Sequence, residues 1–319
     1  FYRWAAKNQE ASGGWPQRQY TDGSLAPVWG SQIDETGTIL WGMYQYCKET
    51  WDLELMGELW PAVFIAAGYL QDSLNPDNGL PGLSFDLWEE RFGEHAYSSA
   101  AVYAGLKGAG LMAKALYESE LAVEWLETAK SLQEKIAQYF WDEELQRFIR
   151  SGWIRVGQED YLARKQAGNP VKEFTNSKGY TRYLVFGDTE PDASLFGLAV
   201  PFGLLTPDDA RMKKTVDNLV ETLTDKNIGG IGRYRNDCYV GGNPWVITTL
   251  WAGLYEGSAG HWDKALARLK WTLDHQTGLG LLPEQVHTKT GEPAWAVPLA
   301  WSHAMFILLS IMLTEAQKL

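Results

Sequence analysis

Apolar residues recur at helical spacing along most of the chain, and glycine-, proline- and tryptophan-rich loops interrupt them at intervals. Over residues 32–50, Ile33, Leu40, Met43, Tyr44 and Cys47 recur at roughly that spacing and predict one helix. Residues 53–70 predict a second, ended by the run from Asn75 to Gly79. A helix over 1–11 stops at Ser12, Gly13 and Gly14. Helices are predicted at 95–116 and 120–140, and at 192–203 and 208–223, where Pro207 and Asp208 suit a helix start. Two more fall at 244–257 and 261–274, and a last one at 297–315. Residues 141–190 read as a long connection with a hairpin around Arg147–Val156.

That is ten helices, eight of them in antiparallel pairs whose long loops all lie at one end. Pairs joined short at one end and long at the other predict an all-α toroid or a superhelical stack. The absence of a fixed residue period disfavours a regular solenoid. A toroid of six helix pairs needs twelve helices, two more than the pattern supplies.

Composition narrows the class. With 319 residues and 45% apolar content the chain can bury a large core, and it reads as a single domain over 1–319. Sixteen Trp, 15 Tyr and 32 Gly turn a plain helical bundle into one with aromatic-lined loops. A net charge of −12 and a pI near 5.0 exclude nucleic acid and anionic membrane as partners and suit a neutral substrate. Cys47 and Cys238 supply neither a disulfide framework nor a zinc cage, so no metal or cofactor is expected, although a carbonyl-rich calcium site stays open. Ordinary reduced thiols make a cytoplasmic setting the expectation over a secreted one. No apolar run of about 20 residues is expected to span a bilayer. The opening Phe1–Lys7 reads as the end of a helix already under way, so a segment upstream is expected.

Four loops carry the chemistry. They hold Trp29 with Asp34 and Glu35; Asp86, Trp88, Glu89 and Glu90; Arg233, Asp237, Tyr239 and Trp245; and Glu284 and Gln285 followed by Trp301, Ser302 and His303. Each offers an aromatic and a hydrogen-bonding group, as sugar recognition needs: ring faces against C–H faces, and charged bonds to hydroxyls. The stretch Asp86–Arg91, ahead of the helix near His95, reads either as a sugar-cleaving acid on the lip of that helix or as acidic residues answering its macrodipole. Glycoside hydrolysis requires two carboxyls, one protonated and one ionised, and Glu89 and Glu284 are the candidate pair. Trp88 would raise the Glu89 pKa by desolvation. Glu284, after a proline, would activate water from a stiffened loop. Alone, Glu284 reads equally as a solvated loop residue, Arg233 with Asp237 as a surface ion pair, and His303 as a core histidine.

These loops together, in this order, resemble the catalytic domain of glycoside hydrolase family 15, the glucoamylase and glucodextranase family, in its bacterial or archaeal branch. The resemblance covers nearly the whole chain. It implies an (α/α)6 barrel and an inverting exo-hydrolase that releases glucose from the non-reducing end of an α-glucan or α-gluco-oligosaccharide. By motif, Glu89 would be the general acid and Glu284 the general base, with their carboxyls roughly 6.5–9.5 Å apart. Trp29, Asp34, Trp88, Glu90, Arg233, Asp237, Trp245 and Trp301 would contact the sugar.

The family's helix pair with a Trp-x-Arg-Asp segment has no match before Trp29, because Arg18 is not followed by Asp. The expectation is therefore an incomplete barrel of about ten helices, lacking the clamp for the terminal glucose and pairing with the missing N-terminal fragment or with a second copy. An inactive or regulatory sugar-binding relative is the alternative. A lyase or a phosphorylase would each need a basic site that this acidic chain does not offer.

Overall fold

The computed structural model describes residues 1–175 and 178–319. In chain order the first elements are helices α1 (Tyr2–Lys7), α2 (Ile33–Thr50) and α3 (Leu53–Asp72), strands β1 (Ser84–Phe85) and β2 (Phe92–His95), and helices α4 (Ala96–Ala115) and α5 (Ser119–Tyr139). Strands β3 (Trp141–Asp142), β4 (Arg147–Phe148) and β5 (Ser151–Val156), helix α6 (Gln158–Gln166), and strands β6 (Val171–Thr175) and β7 (Thr181–Asp188) follow. A 3-10 helix at Ala193–Leu198 leads to α7 (Ala210–Leu223), α8 (Val246–Ser258), α9 (Trp262–Asp274), strands β8 (Gln285–Val286) and β9 (Pro293–Ala294), and α10 (Ala300–Glu315).

The chain forms two compact units. The first is Phe1–Phe140 with Ser151–Thr189; the second is Trp141–Arg150 with Glu190–Leu319. In the first, α2 packs on α4 so closely that a Cβ at Gly37 would stand 2.5 Å from the Ala101 carbonyl oxygen. Gly105 makes the same approach from the other side, with a Cβ there 2.8 Å from the Gly37 oxygen. Helix α4 is buried on nearly all sides, and its small residues Ala100, Ala101, Ala104, Gly105 and Gly108 permit this. α3 is, among the described residues, the one helix long and apolar enough to cross a membrane, which the sequence expectation did not foresee. Its Leu55, Met56, Leu59, Val63, Ala66, Ala67 and Leu70 are buried in the first unit, while Leu53, Phe64 and Ile65 are exposed.

Three expectations are corrected. Arg147–Val156 is not a hairpin: β4 pairs with β3, while β5 pairs antiparallel with β2 and β7. The connection over 141–190 contributes α6 and most of a five-stranded sheet in the order β1-β2-β5-β7-β6, so the helical class carries a sheet that no pattern announced. The part of that connection at positions 176 and 177 lies outside the described residues. The helix expected at 192–203 is a 3-10 turn, capped by Asp192 accepting from the Ser194 amide at 2.8 Å. Its Ala-Ser-Leu-Phe-Gly-Leu run is buried throughout, so no polar face sets a 3.6-residue period.

In the second unit α8 packs on α9 and α10, with Trp251 fully buried. α10 is apolar on every side and leaves Ile307, Leu308 and Ile311 exposed. The 3-10 helix and β4 both lie against α7.

Candidate active site

In the first unit, Asp86–Arg91 does not sit on the lip of a helix. It is the turn of the β1–β2 hairpin, and α4 begins only after β2, at Ala96. The Asp86 carboxylate organises that turn by accepting the amides of Glu90 at 2.8 Å and Arg91 at 3.0 Å, and the Arg91 guanidinium at 3.2 Å. Asp86 therefore caps a turn rather than a helix dipole. Exposed Glu90 pairs with Arg91 at 3.1 Å.

Glu89 occupies the tip with φ +62°, a left-handed conformation that costs a side-chain-bearing residue roughly 1–3 kcal/mol. That cost aims its carboxyl at two donors. Trp29 Nε1 donates to Glu89 Oε2 at 3.0 Å, and the Arg18 guanidinium forms an ion pair with the same oxygen. Arg18 also lies over the Trp29 ring at 5.7 Å. Trp29 is 62% exposed and offers an open ring face, while Trp88 is buried at 8%.

The Arg18 loop is held by Gln17, which accepts from the Trp29 amide at 3.0 Å and donates to Gln32 at 2.7 Å. Arg18 entered the sequence argument only as a residue lacking a following Asp; its partner lies 71 positions away, and no local spacing signals it.

Beside this corner, Asp34 and Glu35 lie in the first turn of α2. Asp34 is buried, accepts from Ser98 Oγ at 3.0 Å and from Gln32 at 3.4 Å, and is pushed up to about 6 by burial. Glu35 is pushed up to about 8, first by burial, then by the negative charges of Asp34 and Glu89, with Arg18 opposing. Two carboxylates adjacent in sequence cannot both ionise cheaply in a desolvated corner. Glu35 was noted in its loop but not chosen as a site residue, since its raised pKa depends on burial that a sequence does not display.

In the second unit, Arg233 and Asp237 are not a surface pair. Their two parallel bonds measure 2.7 and 2.8 Å, and both side chains are only 3% exposed. The Arg233 guanidinium is enclosed by the rings of Tyr234, Tyr239 and buried Trp245, with centroids 5.2, 5.0 and 5.0 Å away. The Glu284 loop is stitched to the same segment: Val246 N–H donates to Glu284 O at 3.0 Å, and Asn243 donates to the fully buried Gln285 at 3.2 Å.

Glu284 is half-buried, and burial raises its carboxyl above the ordinary range, while the Gln285 hydrogen bond and the Arg233 charge oppose. Helix α10 fastens this loop from behind. Ser302 Oγ donates to Pro283 O at 2.8 Å, and His303 Nε2 accepts the Leu282 amide at 3.0 Å. His303 is thus an anchor with its proton on Nδ1. Trp301 stands edge-on to Trp251 at 5.5 Å, within the helical layer. Trp295, 61% exposed and edge-on to Tyr239 at 6.1 Å, offers an open ring in this unit, which sequence reasoning passed over.

Residues 10–273 match the pattern of glycosyl hydrolases family 15. An uncharacterized glycosyl hydrolase of Methanocaldococcus jannaschii is 35% identical over 97% of this chain and 46% of its own length. The isomaltose glucohydrolase of Kribbella flavida is 33% identical over 39% of this chain and 34% of its own. The chain thus spans less than half the length of these relatives. Among solved structures, a bacterial glucoamylase complexed with acarbose superposes with a TM-score of 0.75 at 24% identity, covering 99% of this chain and 45% of that one. The fold class is accordingly that of the glucoamylases, the (α/α)6 barrel, with the five-stranded sheet in addition.

Proposed function

The chain belongs to glycosyl hydrolases family 15, and on that premise we propose that it carries the catalytic machinery of an inverting, exo-acting α-glucosidase. The substrate is an α-glucan or α-gluco-oligosaccharide, and glucose leaves from its non-reducing end. The observation that carries this reading is Glu89 itself: a carboxyl on a strained left-handed turn, bonded to the indole of an exposed tryptophan. Glu89 is the general acid that protonates the departing glycosidic oxygen, and Trp29 is the platform for the sugar. Glu284, half-buried on a loop fastened by Ser302 and His303, is the general base that takes a proton from water. Arg233, locked to Asp237 and stacked among three rings, presents fixed donors to hydroxyl groups. The substrate-binding roles of Asp34, Trp88, Glu90, Trp245 and Trp301 belong to the same proposal.

One observation favours the second reading, a protein that binds sugar without cleaving it: the Arg18–Glu89 ion pair. An acid catalyst must be protonated and released from that contact. The intact protein, incubated with maltose, isomaltose and trehalose and followed by proton NMR, separates the two. Immediate release of β-glucose, lost by at least about 100-fold in Glu89→Gln and in Glu284→Gln, supports the hydrolase. On maltose and isomaltose, an α-anomer newly formed from the non-reducing unit refutes inversion. On trehalose, inversion gives one α- and one β-glucose, and retention gives two α. Binding with no turnover supports the second reading.

A further inference from the structure

One imidazole behind the Glu89 turn is tied to both of its ends. His95 closes β2 and is 5% exposed. Its Nε2 lies 3.1 Å from the Ser84 carbonyl oxygen and 3.1 Å from that of Arg91, and its Nδ1 lies 2.8 Å from Ser151 Oγ. Carbonyl oxygens only accept, so Nε2 carries the proton and shares it between the two; Nδ1 is left to accept from the Ser151 hydroxyl. Ser84 lies in β1 and Arg91 is the last residue of the turn, so a single N–H clamps together the two sides of the hairpin whose tip is Glu89.

The clamp has its own support. Ser151 is 1% exposed and stands opposite His95 in the β2–β5 pairing. A Cβ at Gly93 would come within 2.6 Å of the Trp153 carbonyl oxygen and 3.3 Å of the His95 ring, so only glycine lets strand and imidazole close together. Burial pushes the His95 pKa below its ordinary value, against Asp86, the Ser84 and Arg91 carbonyls and Asp188, which favours the neutral ring this arrangement requires. Asp86 holds the turn from inside through the Glu90 and Arg91 amides; His95 holds it from below.

We infer that His95 is a positioning residue: its Nε2 proton sets the separation of the two ends of the turn, and thereby where the Glu89 carboxyl points. The inference rests on the reading of Glu89 as general acid. Loss of the clamp should therefore harm only reactions that need the acid's proton.

The test compares two substrates in the intact protein: the disaccharide it cleaves, whose leaving oxygen must be protonated, and α-D-glucosyl fluoride, whose fluoride departs without a proton. His95→Asn is expected to lower kcat on the disaccharide by about 10- to 100-fold with KM nearly unchanged, since displacement of about 1 Å can cost that much. Its kcat on the fluoride should stay within about threefold. His95→Gln, whose amide nitrogen reaches the Nε2 position, should recover most of the loss. Ser151→Ala, which removes the hydroxyl donor to Nδ1, should show a smaller loss of the same selectivity, with the imidazole nitrogen shifts moved in NMR; it serves where His95→Asn fails to fold. Equal losses on both substrates, or none on the disaccharide, overturn the inference. Glu89→Gln is the control: if it is impaired on the disaccharide while His95→Asn is not, only the positioning role fails. If Glu89→Gln is unimpaired, the acid assignment fails and takes this inference with it.

Discussion

At the residue scale, the first-unit site concentrates negative charge that protein burial works against. Glu35 is pushed up to about 8 and Asp34 to about 6, both chiefly by burial. The sign follows from proton counts. Between the unfolded value, 4.5 for Glu35, and the folded value near 8, the folded chain holds a proton that the unfolded chain has lost. Stability from this group is therefore present at low pH and is lost as pH rises through that window. Glu35→Gln removes the titration and keeps the shape. It should leave the melting temperature almost unchanged at pH 4 and raise stability at pH 8 by on the order of 2 kcal/mol, read by thermal denaturation across that range. A difference that does not vary with pH would show that burial of the carboxyl is not the cause. Glu89, Trp29, Arg233 and Glu284 could be proposed from the sequence because each sits in a short motif. The surroundings of Glu35, His95 and Arg18 could not be read there, because they consist of desolvation, a buried hydrogen-bond pattern and a contact across 71 positions.

At the element scale, long helices were readable, and the short elements were not. α2 through α5 and α7 through α10 fall within a few residues of their predicted spans. In α5 and α7 burial of one stripe imposes the 3.6-residue period, while α4 and α10, apolar nearly all round, show as long apolar runs between turn signals. Strands of two residues such as β1 and β8 leave no period to detect, and their partners come from distant segments. The α2–α4 contact shows what pattern alone omits, which is distance. Alanine is a better helix former than glycine by about 1 kcal/mol. At Gly37 and Gly105 that gain meets backbone atoms at 2.5 and 2.8 Å, which cannot rotate aside. Gly37→Ala and Gly105→Ala should each destabilise by a net of about 2 kcal/mol, because overpacking outweighs propensity. Gly57→Ala, in α3 with nothing within 4 Å of the new methyl, should stabilise by about 0.5–1 kcal/mol. Urea denaturation of the three variants checks both signs, and a stabilised Gly105→Ala would mean that the helices separate at little cost.

At the scale of the whole molecule, the order of segments hides which parts pack together. Trp141–Arg150 belongs to the second compact unit although α5 and β5 on either side of it belong to the first, and composition carries no trace of that interleaving. Net charge, by contrast, is legible in full. Forty acidic residues against 28 basic ones give −12, and such a surface repels anions at long range. A neutral α-glucoside feels none of this; under the proposed function its capture would depend on short-range stacking and on charged hydrogen bonds from groups such as buried Arg233, which salt barely screens. Between about 0.1 M and 1 M salt the screening length falls from roughly 10 to 3 Å, and kcat/KM on a neutral oligosaccharide should change by less than about twofold. A uronic acid or phosphorylated sugar would have to overcome the repulsion, so its kcat/KM would rise steeply over the same range. Kinetics at four salt concentrations decide between them: a strong salt dependence would mean that the natural substrate carries charge and that the neutral-glucan reading is wrong.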